Sequence, residues 1–375
     1  MLDIIANKNE IREKIEKLMS SAQKRRALKD YHARRKPRPC GITIHTGVGC
    51  SLRCLYCYIE DMGFKWDIKP YPLNDIELVY SLLSNPYFLP GKYGTLIAIG
   101  SVTEPFHPIT KEKTFKYIEA LSKYLGNFVQ FSTKMYLTEE DAYRLKDLDP
   151  GISPLVTIIT LEYASKLEPY APSPEERFET IKNLSKAGLK PILFYRPLIP
   201  GIVEYEYQEI IKKAFKSGAV GVVAGSLRIT KLILSRLKSI GVPIDEIVKR
   251  LPRQPRGNEQ VTIIASDLKK MVLSYAKRLS LIPFTEACMA NIYTHGYICW
   301  KMISRNIVVE GLKHPTIDEE LVYDLARELG IQVLSIRIKK GVMELSISGG
   351  DKLKKYLFSE LVKYRFRICT RIRQS

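Results

Sequence analysis

The chain has 375 residues, of which 45% are hydrophobic and 26% charged, an ordinary globular composition that allows one large α/β domain with an appendage or two domains. No uncharged apolar run of about 18 residues exists, and charges interrupt the first residues where a signal peptide would be apolar. We therefore expect a cytoplasmic protein without a membrane partner. Seven cysteines, an odd number, do not suggest a disulfide framework.

The net charge of +19 is concentrated at the two ends of the chain. Residues 1–39 carry twelve Lys and Arg against five acidic residues, and residues 352–375 carry eight against one. The densest run, Lys24 to Pro39, has too few apolar positions for a buried face and predicts a solvated helix or arm. The last thirteen residues alternate basic and apolar side chains, which is typical of a strand with one basic face; the apolar members are Tyr364, Phe366 and Ile368. Such ends either keep a protein soluble or contact the phosphates of a nucleic acid, and we favour nucleic-acid contact.

Short apolar stretches alternate with amphipathic helical stretches up to residue 227. The predicted strands are 40–47, 93–101, 127–134, 153–162, 190–201 and 219–227. The predicted helices between them are 76–84, 110–126, 138–148, 173–188 and 204–217, with Asn74, Thr110 and Ser173 at helix starts. Six βα units favour a parallel sheet with right-handed crossovers. Since six is two fewer than a closed barrel needs, we predict an α/β fold with a partial (β/α)6 TIM-type barrel, and a doubly wound open sheet is the alternative.

After residue 227 the alternation ends. Residues 316–330 predict a helix and residues 331–348 a hairpin that turns at Lys340-Gly341, followed by a last helix. We expect a basic N-terminal helical arm over 1–39, a barrel over 40–227 and a C-terminal α+β region with a basic tail over 228–375.

Three cysteines crowd into the segment GVGCSLRCLYCYIEDM, at Cys50, Cys54 and Cys57. On a helix they would share one buried face, but Gly47 and Gly49 favour a loop. Structural zinc needs four nitrogen or sulfur ligands, usually as two paired knuckles, and the chain has no second CxxC pair. A four-iron cluster on three thiolates leaves one iron open to a small molecule. We predict such a cluster, and zinc with a fourth ligand recruited in space is the alternative.

The CxxxCxxC pattern with Tyr56 before its last cysteine, placed after the first strand, resembles the radical S-adenosylmethionine (SAM) superfamily. The resemblance implies a [4Fe-4S] cluster whose open iron is chelated by SAM. It also implies an electron donor such as a ferredoxin or flavodoxin, cleavage of SAM to a 5′-deoxyadenosyl radical, and the (β/α)6 partial barrel already predicted. The stretches GSVTEPFHP (100–108), FSTKMYL and 167–201 are similar to the spore photoproduct lyase-like branch. The sequence departs from that branch at Glu104, where Asp is usual, and at His107, where Gln is common.

Functional side chains of parallel barrels lie at the carboxyl ends of the strands. Those ends carry the predicted cofactor-binding residues Ser101, Thr103, Glu104, Ser132, Lys134, Thr157 and Arg196. A ligand with an ammonium, a carboxylate and a ribose diol calls for Glu104, Lys134 and Thr157 as respective partners. Each residue has a structural alternative, which for Arg196 is an ion pair with Glu162. By resemblance, Tyr56 packs against the adenine.

Two further cysteines, Cys288 and Cys299, have three candidate roles: a thiol hydrogen-atom donor and its partner, a second metal site with His295, or buried small side chains. We expect radical chemistry on a nucleic acid, either lyase-like DNA repair of a damaged pyrimidine or base modification. The second hypothesis is the same chemistry on a protein or small molecule. The third is a non-enzymatic nucleic-acid-binding protein with a structural metal site.

Overall fold

The computed structural model describes residues 3–38, 41–307, 309–313, 316–339 and 341–374. Its strands are β1 (Gly41–Ile44), β2 (Gly47–Val48), β3 (Lys69–Pro70), β4 (Leu96–Ile99), β5 (Val129–Thr133), β6 (Ser153–Thr157), β7 (Ile192–Leu198), β8 (Gly221–Ser226), β9 (Arg228–Ile229), β10 (Val261–Thr262), β11 (Ile282–Phe284), β12 (Ile331–Lys339), β13 (Val342–Gly349) and β14 (Cys369–Gln374). Its helices are α1 (Asp3–Glu16), α2 (Ser21–Lys29), α3 (Asp75–Ser84), α4 (Lys111–Ala120), α5 (Glu139–Leu148), α6 (Ala164–Leu167), α7 (Pro174–Lys186), α8 (Val203–Lys216), α9 (Lys231–Ser239), α10 (Ile244–Val248), α11 (Ser266–Arg278), α12 (Ala287–Thr294), α13 (Trp300–Ile303), α14 (Glu319–Glu328) and α15 (Lys352–Phe366). A 3-10 turn covers Tyr31–Ala33, and a π-helical turn covers Leu121–Leu125.

Seven strands form one parallel sheet in the order β1-β4-β5-β6-β7-β8-β11. The two outer strands, β1 and β11, are not paired with each other, so the sheet is open. Strand β6 is buried along its whole length, as expected of a parallel strand covered on both faces. The α/β class and the partial barrel predicted from the sequence are confirmed.

The seventh strand, β11, was not predicted. It pairs with β8 at Ile282 and Gly221, and a Cβ on Gly221 would lie 2.6 Å from the ring of Phe284, so glycine permits this close pairing. Three residues that include a proline give no period-two pattern, which explains why the sequence did not indicate the strand. The proposed boundary at residue 227 stays a prediction.

Polar side chains define the starts of the helices around the sheet. Asn74 and Ser173 form capping boxes with the carboxylates three residues later, as their positions predicted. Thr110 also precedes its helix, but its hydroxyl donates to the carbonyl of Glu104 at 2.8 Å instead of capping α4. That bond anchors the loop between β4 and α4, which carries several of the predicted cofactor-binding residues.

Helices α1 and α2 pack against α3 instead of extending into solvent. Ile15 and Ala27 are buried in the main core, and Arg26 pairs at 2.5 Å with the buried carboxylate of Glu77. The Asn85 side chain donates to two backbone carbonyls of the segment after α2, each at 2.7 Å. The prediction of a solvated arm is therefore wrong for the face of this region that packs against α3. A few small and apolar side chains are enough to hold that face against the core.

A second, smaller layer combines α14 and α15 with the sheet β12-β13-β14, in which β14 runs parallel to β13. The predicted hairpin is present, although its turn residue Lys340 lies outside the described residues. The predicted strand over the basic tail is partly wrong, since α15 extends to Phe366 and only Cys369–Gln374 is extended. Tyr364 and Phe366 are buried in the core of this layer. Their packing in that core favours a helix over the predicted strand for this part of the tail.

The smaller layer lies at the amino ends of the main strands. The guanidinium of Arg365 stacks 4.5 Å from the ring centroid of Tyr93, just before β4, and that of Arg367 lies 5.0 Å from Phe128, just before β5. Helix α12 also crosses this end, where Asn291 donates to the carbonyl of Phe128 at 3.3 Å. None of the helices among the described residues is both long and apolar enough to cross a membrane.

Candidate active site

The three clustered cysteines lie on an irregular loop at the carboxyl end of β1. Gly49 has φ +80°, and a Cβ there would lie 2.0 Å from the carbonyl oxygen of Asp67, so the approach to the loop requires glycine. Within the loop, the backbone N–H of Cys57 donates to the carbonyl of Cys54 at 2.9 Å. The alternative in which the three cysteines share one face of a helix is thereby excluded. All three cysteines line one cavity of about 170 Å³, here called the cysteine cavity.

Every predicted cofactor-binding residue also lines the cysteine cavity: Tyr56, Ser101, Thr103, Glu104, Ser132, Lys134, Thr157 and Arg196. Tyr56 belongs to the cysteine loop, and the others come from the loop after β4, from β5 and the residue after it, and from the carboxyl-terminal parts of β6 and β7. Parallel strands bring these carboxyl ends together, which is why positions dispersed in sequence converge.

Glu104 fixes the position of Lys134. Its carboxylate accepts from the Thr133 hydroxyl at 2.5 Å, from the backbone N–H of Lys134 at 3.0 Å and from that of Phe106 at 3.2 Å. Burial raises the pKa of Glu104, although these donors favour the charged form. Glu104 therefore organises the cavity wall as well as facing it.

Tyr56 is held by a buried ion pair. Its hydroxyl donates to Glu168, whose other carboxylate oxygen pairs with Arg177 at 2.5 Å, and Arg177 also donates to the Thr157 carbonyl at 3.1 Å. The side chains of Glu168 and Arg177 are 0% and 1% exposed. This network ties the cysteine loop to the end of β6. Neither ion-pair partner stands out in the sequence, although both lie in the 167–201 stretch that is similar to the spore photoproduct lyase-like branch.

A second contact ties the cysteine loop to the loop after β4. Nε2 of His107 lies 3.1 Å from the Ser51 hydroxyl, and Nδ1 of His107 accepts from the backbone N–H of Ile109 at 3.3 Å. Because Nδ1 accepts, Nε2 carries the proton and donates to Ser51. The histidine that departs from the branch pattern thus supports the cysteine loop.

The thiols themselves are protonated unless a cation binds them. Burial raises the pKa of Cys50 to about 11, and it raises the pKa values of Cys54 and Cys57 as well. Metal coordination reverses this preference because the ligand is the thiolate. Buried thiols of this kind suit metal binding better than nucleophilic catalysis.

Two groups in the cavity wall fit a polar, charged ligand. The hydroxyl of Thr103 is buried and has no hydrogen-bond partner among the described residues. In the part of the chain that the structure describes, Lys134 forms no ion pair, and its ammonium lies 5.7 Å from the centroid of the Tyr56 ring. Burial opposes the charge on Lys134, but the negative charges of Cys54 as a thiolate, Glu168 and Glu104 together outweigh it, so the pKa of Lys134 is raised.

Arg196 lines both the cysteine cavity and a larger cavity of about 640 Å³ inside the sheet, here called the interior cavity. The methylenes of Arg196 occupy the space that a Cβ on Gly225 would fill, at 2.5 Å. Among the described residues it forms no ion pair with Glu162, so that structural alternative is not realised. The interior cavity reaches from β1 to the residues after β11, between the two unpaired edges of the sheet.

Cys288 and Cys299 lie in different environments. Cys288 lines the interior cavity, with its thiol 3.7 Å from Glu286, whereas Cys299 is buried in an apolar cluster. His295 stacks on Phe128 with a centroid distance of 4.1 Å. Within the described ranges, which omit Cys40, no three His, Cys, Asp or Glu side chains converge closely enough for one metal ion. Thiolates of an iron–sulfur cluster bind different irons and need no such convergence.

Comparison with known families identifies the central part of the chain. The family model described as the radical SAM superfamily matches residues 44–214, which span the cysteine loop and strands β4 to β7. The chain contains a radical SAM domain. Its superfamily prediction is therefore confirmed, and enzymes of this superfamily use a [4Fe-4S] cluster and SAM.

Two relatives match the radical SAM domain in sequence. An uncharacterized protein of Methanocaldococcus jannaschii is 30% identical over 173 residues, which cover 44% of this chain and 62% of the relative. An uncharacterized protein of Acidianus two-tailed virus is 26% identical over 175 residues, which cover 43% of this chain and 56% of the relative. In each case the match spans less than two thirds of the relative.

Solved structures of spore photoproduct lyase have the same fold. A cysteine-to-serine mutant matches with a TM-score of 0.53 and 18% identity, over 65% of this chain and 75% of the lyase. A double mutant with bound AdoMet and dinucleoside spore photoproduct matches with a TM-score of 0.53 and 16% identity, over 67% of this chain and 76% of the lyase. At these identities the likeness shows the fold alone.

The donor set of the cysteine cavity fits the cofactors of the superfamily. Three thiols from one loop face the cavity, and the partnerless Thr103 hydroxyl and the Lys134 ammonium lie in the same wall. Thiols match iron, while a hydroxyl and an ammonium match the polar end of SAM. The residues therefore suit a cluster and SAM together.

Proposed function

We propose that the protein is a radical SAM enzyme that acts on a nucleic acid, either by lyase-like repair of a damaged pyrimidine or by modifying a base. The observation that carries this proposal is the meeting of the two basic ends of the chain beside the interior cavity. Lys36, near the end of the N-terminal basic segment, places its ammonium 3.8 Å from the ring centroid of Tyr356 in the basic helix α15. Two residues later, Arg38 lines the interior cavity.

This joint basic surface favours a polyanionic substrate over a small neutral one. Clustered Lys and Arg side chains release counterions from a nucleic acid. Arg38 is exposed and belongs to the segment just before the edge strand β1. A base lifted from its stack would enter the interior cavity between the open sheet edges, toward the cysteine cavity.

We assign the cofactor contacts on the chemistry of the cavity wall. Cys50, Cys54 and Cys57 would hold the cluster, and the cluster and SAM, with an electron from a ferredoxin or flavodoxin, would supply 5′-deoxyadenosyl radical chemistry. Lys134 receives the SAM carboxylate, and Glu104 with Thr103 receives its ammonium. The remaining predicted contacts are Tyr56 to the adenine, Thr157 to a ribose hydroxyl, and Ser101, Ser132 and Arg196 along the polar wall.

The direct test supplies substrates to the reconstituted enzyme without oxygen. The reduced protein receives SAM and UV-irradiated DNA or RNA, and mass spectrometry follows both the thymine photoproducts and 5′-deoxyadenosine. Loss of photoproducts would identify a repair lyase, and a modified base in RNA would identify a modifying enzyme. Formation of 5′-deoxyadenosine only in the presence of a protein or small molecule would contradict the proposal and support the alternative substrate class.

The salt dependence of binding tests the basic surface itself. Deleting residues 1–38 would disrupt the packing of α1 and α2 in the core, so the charges are removed by the substitutions Arg25→Gln, Lys29→Gln and Arg34→Gln at exposed positions. The logarithm of the affinity for DNA decreases with the logarithm of the salt concentration. We expect this dependence to become shallower by about 0.9 for each phosphate that the variant no longer neutralises. The matched control replaces three exposed lysines elsewhere: Lys166, Lys212 and Lys216. Equal slopes for both variants would contradict a role of the basic ends in binding.

A further inference from the structure

The interior cavity carries more positive charge than its acidic groups balance. Among the described residues, four basic side chains line it, Arg38, Arg196, Arg228 and Lys269, together with one carboxylate, that of Glu286.

The carboxylate of Glu286 forms its ion pairs with residues other than the four basic side chains of the cavity. Glu286 pairs with Lys301 and lies 3.5 Å from Arg305. In the described ranges, Arg196 and Lys269 have no ion pair of their own. Charged groups taken out of water are normally paired, so this cavity wall favours an anionic occupant.

The cations are close enough to affect one another. Burial and then the positive charge of Arg196 lower the pKa of Lys269, which Glu286 opposes. Burial also lowers the pKa of Arg196, and the charge of Arg228 adds to that effect. Like charges that are held together in a partly desolvated wall gain from a shared anion.

The local structure holds two of the guanidinium groups in place. Arg196 runs along Gly225, where any side chain would collide with its methylenes at 2.5 Å. Arg228 lies 5.5 Å from the centroid of Tyr58 and donates to the side chain of Gln260 at 3.3 Å. A guanidinium positioned in this way presents a fork that matches the oxygens of phosphate.

We propose that the interior cavity is the substrate site and that Arg196, Arg228 and Lys269 hold a phosphate group of the substrate beside the cysteine cavity. This inference rests on the proposed function, because the phosphodiester is the anion that a nucleic acid brings to the cavity. Arg196 faces both cavities and thereby sets the bound phosphate next to the cofactor. The site requires single-stranded or flipped nucleotides, since it lies inside the sheet.

The test measures binding by the oxidised holoenzyme with SAM, a state that does not turn over. The probes are the dinucleotide TpT and its methylphosphonate analogue, in which a methyl group replaces one charged oxygen. We expect TpT to bind roughly tenfold more tightly than the neutral analogue, since the latter cannot form hydrogen bonds to a charged oxygen. Lys269→Gln should remove most of that preference, and Lys269→Arg should retain it.

The neighbouring exposed residue on the same helix supplies the control. Lys270→Gln should bind both probes as the unmodified protein does, and the affinity for SAM should be unchanged in every variant. Equal affinity of the unmodified protein for the two probes, or equal effects of Lys269→Gln and Lys270→Gln, would overturn the phosphate site. A tetraglutamate peptide that binds as tightly as TpT would also overturn it, by assigning the site to carboxylates.

The outcomes separate this inference from the proposed function. If TpT is preferred as expected but no nucleic acid supports formation of 5′-deoxyadenosine after reduction, the phosphate site stands and the nucleic-acid reaction fails. If nucleic acid is a substrate and the two probes bind equally, the reaction stands and the phosphate site fails.

Discussion

The cysteine cavity and the interior cavity share one sheet and two arginines, Arg196 and Arg228, but their charged groups are satisfied in different ways. Around the cysteine cavity, Glu104 accepts three protein donors, and Glu168 is paired with Arg177. Around the interior cavity, Arg196 and Lys269 face the space without an ion pair among the described residues. The first arrangement fixes the carboxylates beside the cluster site and leaves Lys134, which has no ion pair among the described residues, for the cofactor. The second leaves charge for an occupant that arrives and departs.

The largest expected effect separates the two cavities by removing a cluster ligand. Cys54→Ala should lower the iron content of the reconstituted protein from about four per chain to near zero and abolish formation of 5′-deoxyadenosine. Binding of TpT in the interior cavity should persist. Cys369→Ala, which alters a cysteine in β14, should keep its iron. Full iron content in Cys54→Ala would contradict the assigned ligand set.

The next effect concerns the support of the cysteine loop. Glu168→Ala leaves Arg177 buried without its partner and should lower the free energy of unfolding of the cluster-free protein by about 3–5 kcal/mol. Removal of the exposed pair by Glu112→Ala should cost less than about 1 kcal/mol. Urea denaturation measures both variants. Equal losses of stability would show that the buried network does not fix this region.

The smallest effect is a pH dependence confined to the interior cavity. Because burial and Arg196 lower the pKa of Lys269, its charge is lost at a lower pH than for an ordinary lysine. Only the charged form attracts phosphate, so affinity for TpT should fall with rising pH and begin to do so at a lower pH than an ordinary lysine would allow. Lys269→Arg should remove this decline because arginine stays charged. Titrations at a series of pH values that show the same decline in both proteins would exclude Lys269 as its source.

The cysteine cavity was largely predictable because its residues follow from position along the strands. Cys50, Cys54 and Cys57 are close in sequence, and polar residues at the ends of parallel strands meet without knowledge of side-chain packing. All eight predicted cofactor-binding residues line the cavity, although their individual roles stay predictions.

The interior cavity was not predictable, since it depends on contacts between distant segments. Lys269 comes from a helix outside the six predicted βα units, and the third residue of the cationic group, Arg228, starts a two-residue strand. Strand β11 is too short for a periodic signal.

One contact beside the cysteine cavity was also not predictable. The hydrogen bond of Tyr56 to Glu168 spans 112 positions, and no local pattern indicates such a pair.

The C-terminal tail was mispredicted for a different reason. Its alternating basic and apolar residues fit a strand, yet Tyr364 and Phe366 lie on a helix whose buried face packs in the smaller layer. Alternation over a few residues does not distinguish a strand from a helix end when most of the polar residues are long and basic.

The most direct measurement follows hydrogen from the nucleic acid to the cofactor. Reduced, reconstituted enzyme receives SAM and UV-irradiated oligothymidylate prepared from fully deuterated thymidine, and mass spectrometry measures deuterium in 5′-deoxyadenosine and in SAM. We predict that deuterium appears in one of these two molecules, and that Lys269→Gln lowers its rate of appearance while Lys270→Gln does not. Deuterium-free 5′-deoxyadenosine, formed at the same rate with and without any DNA or RNA, would contradict the assignment of a nucleic-acid substrate.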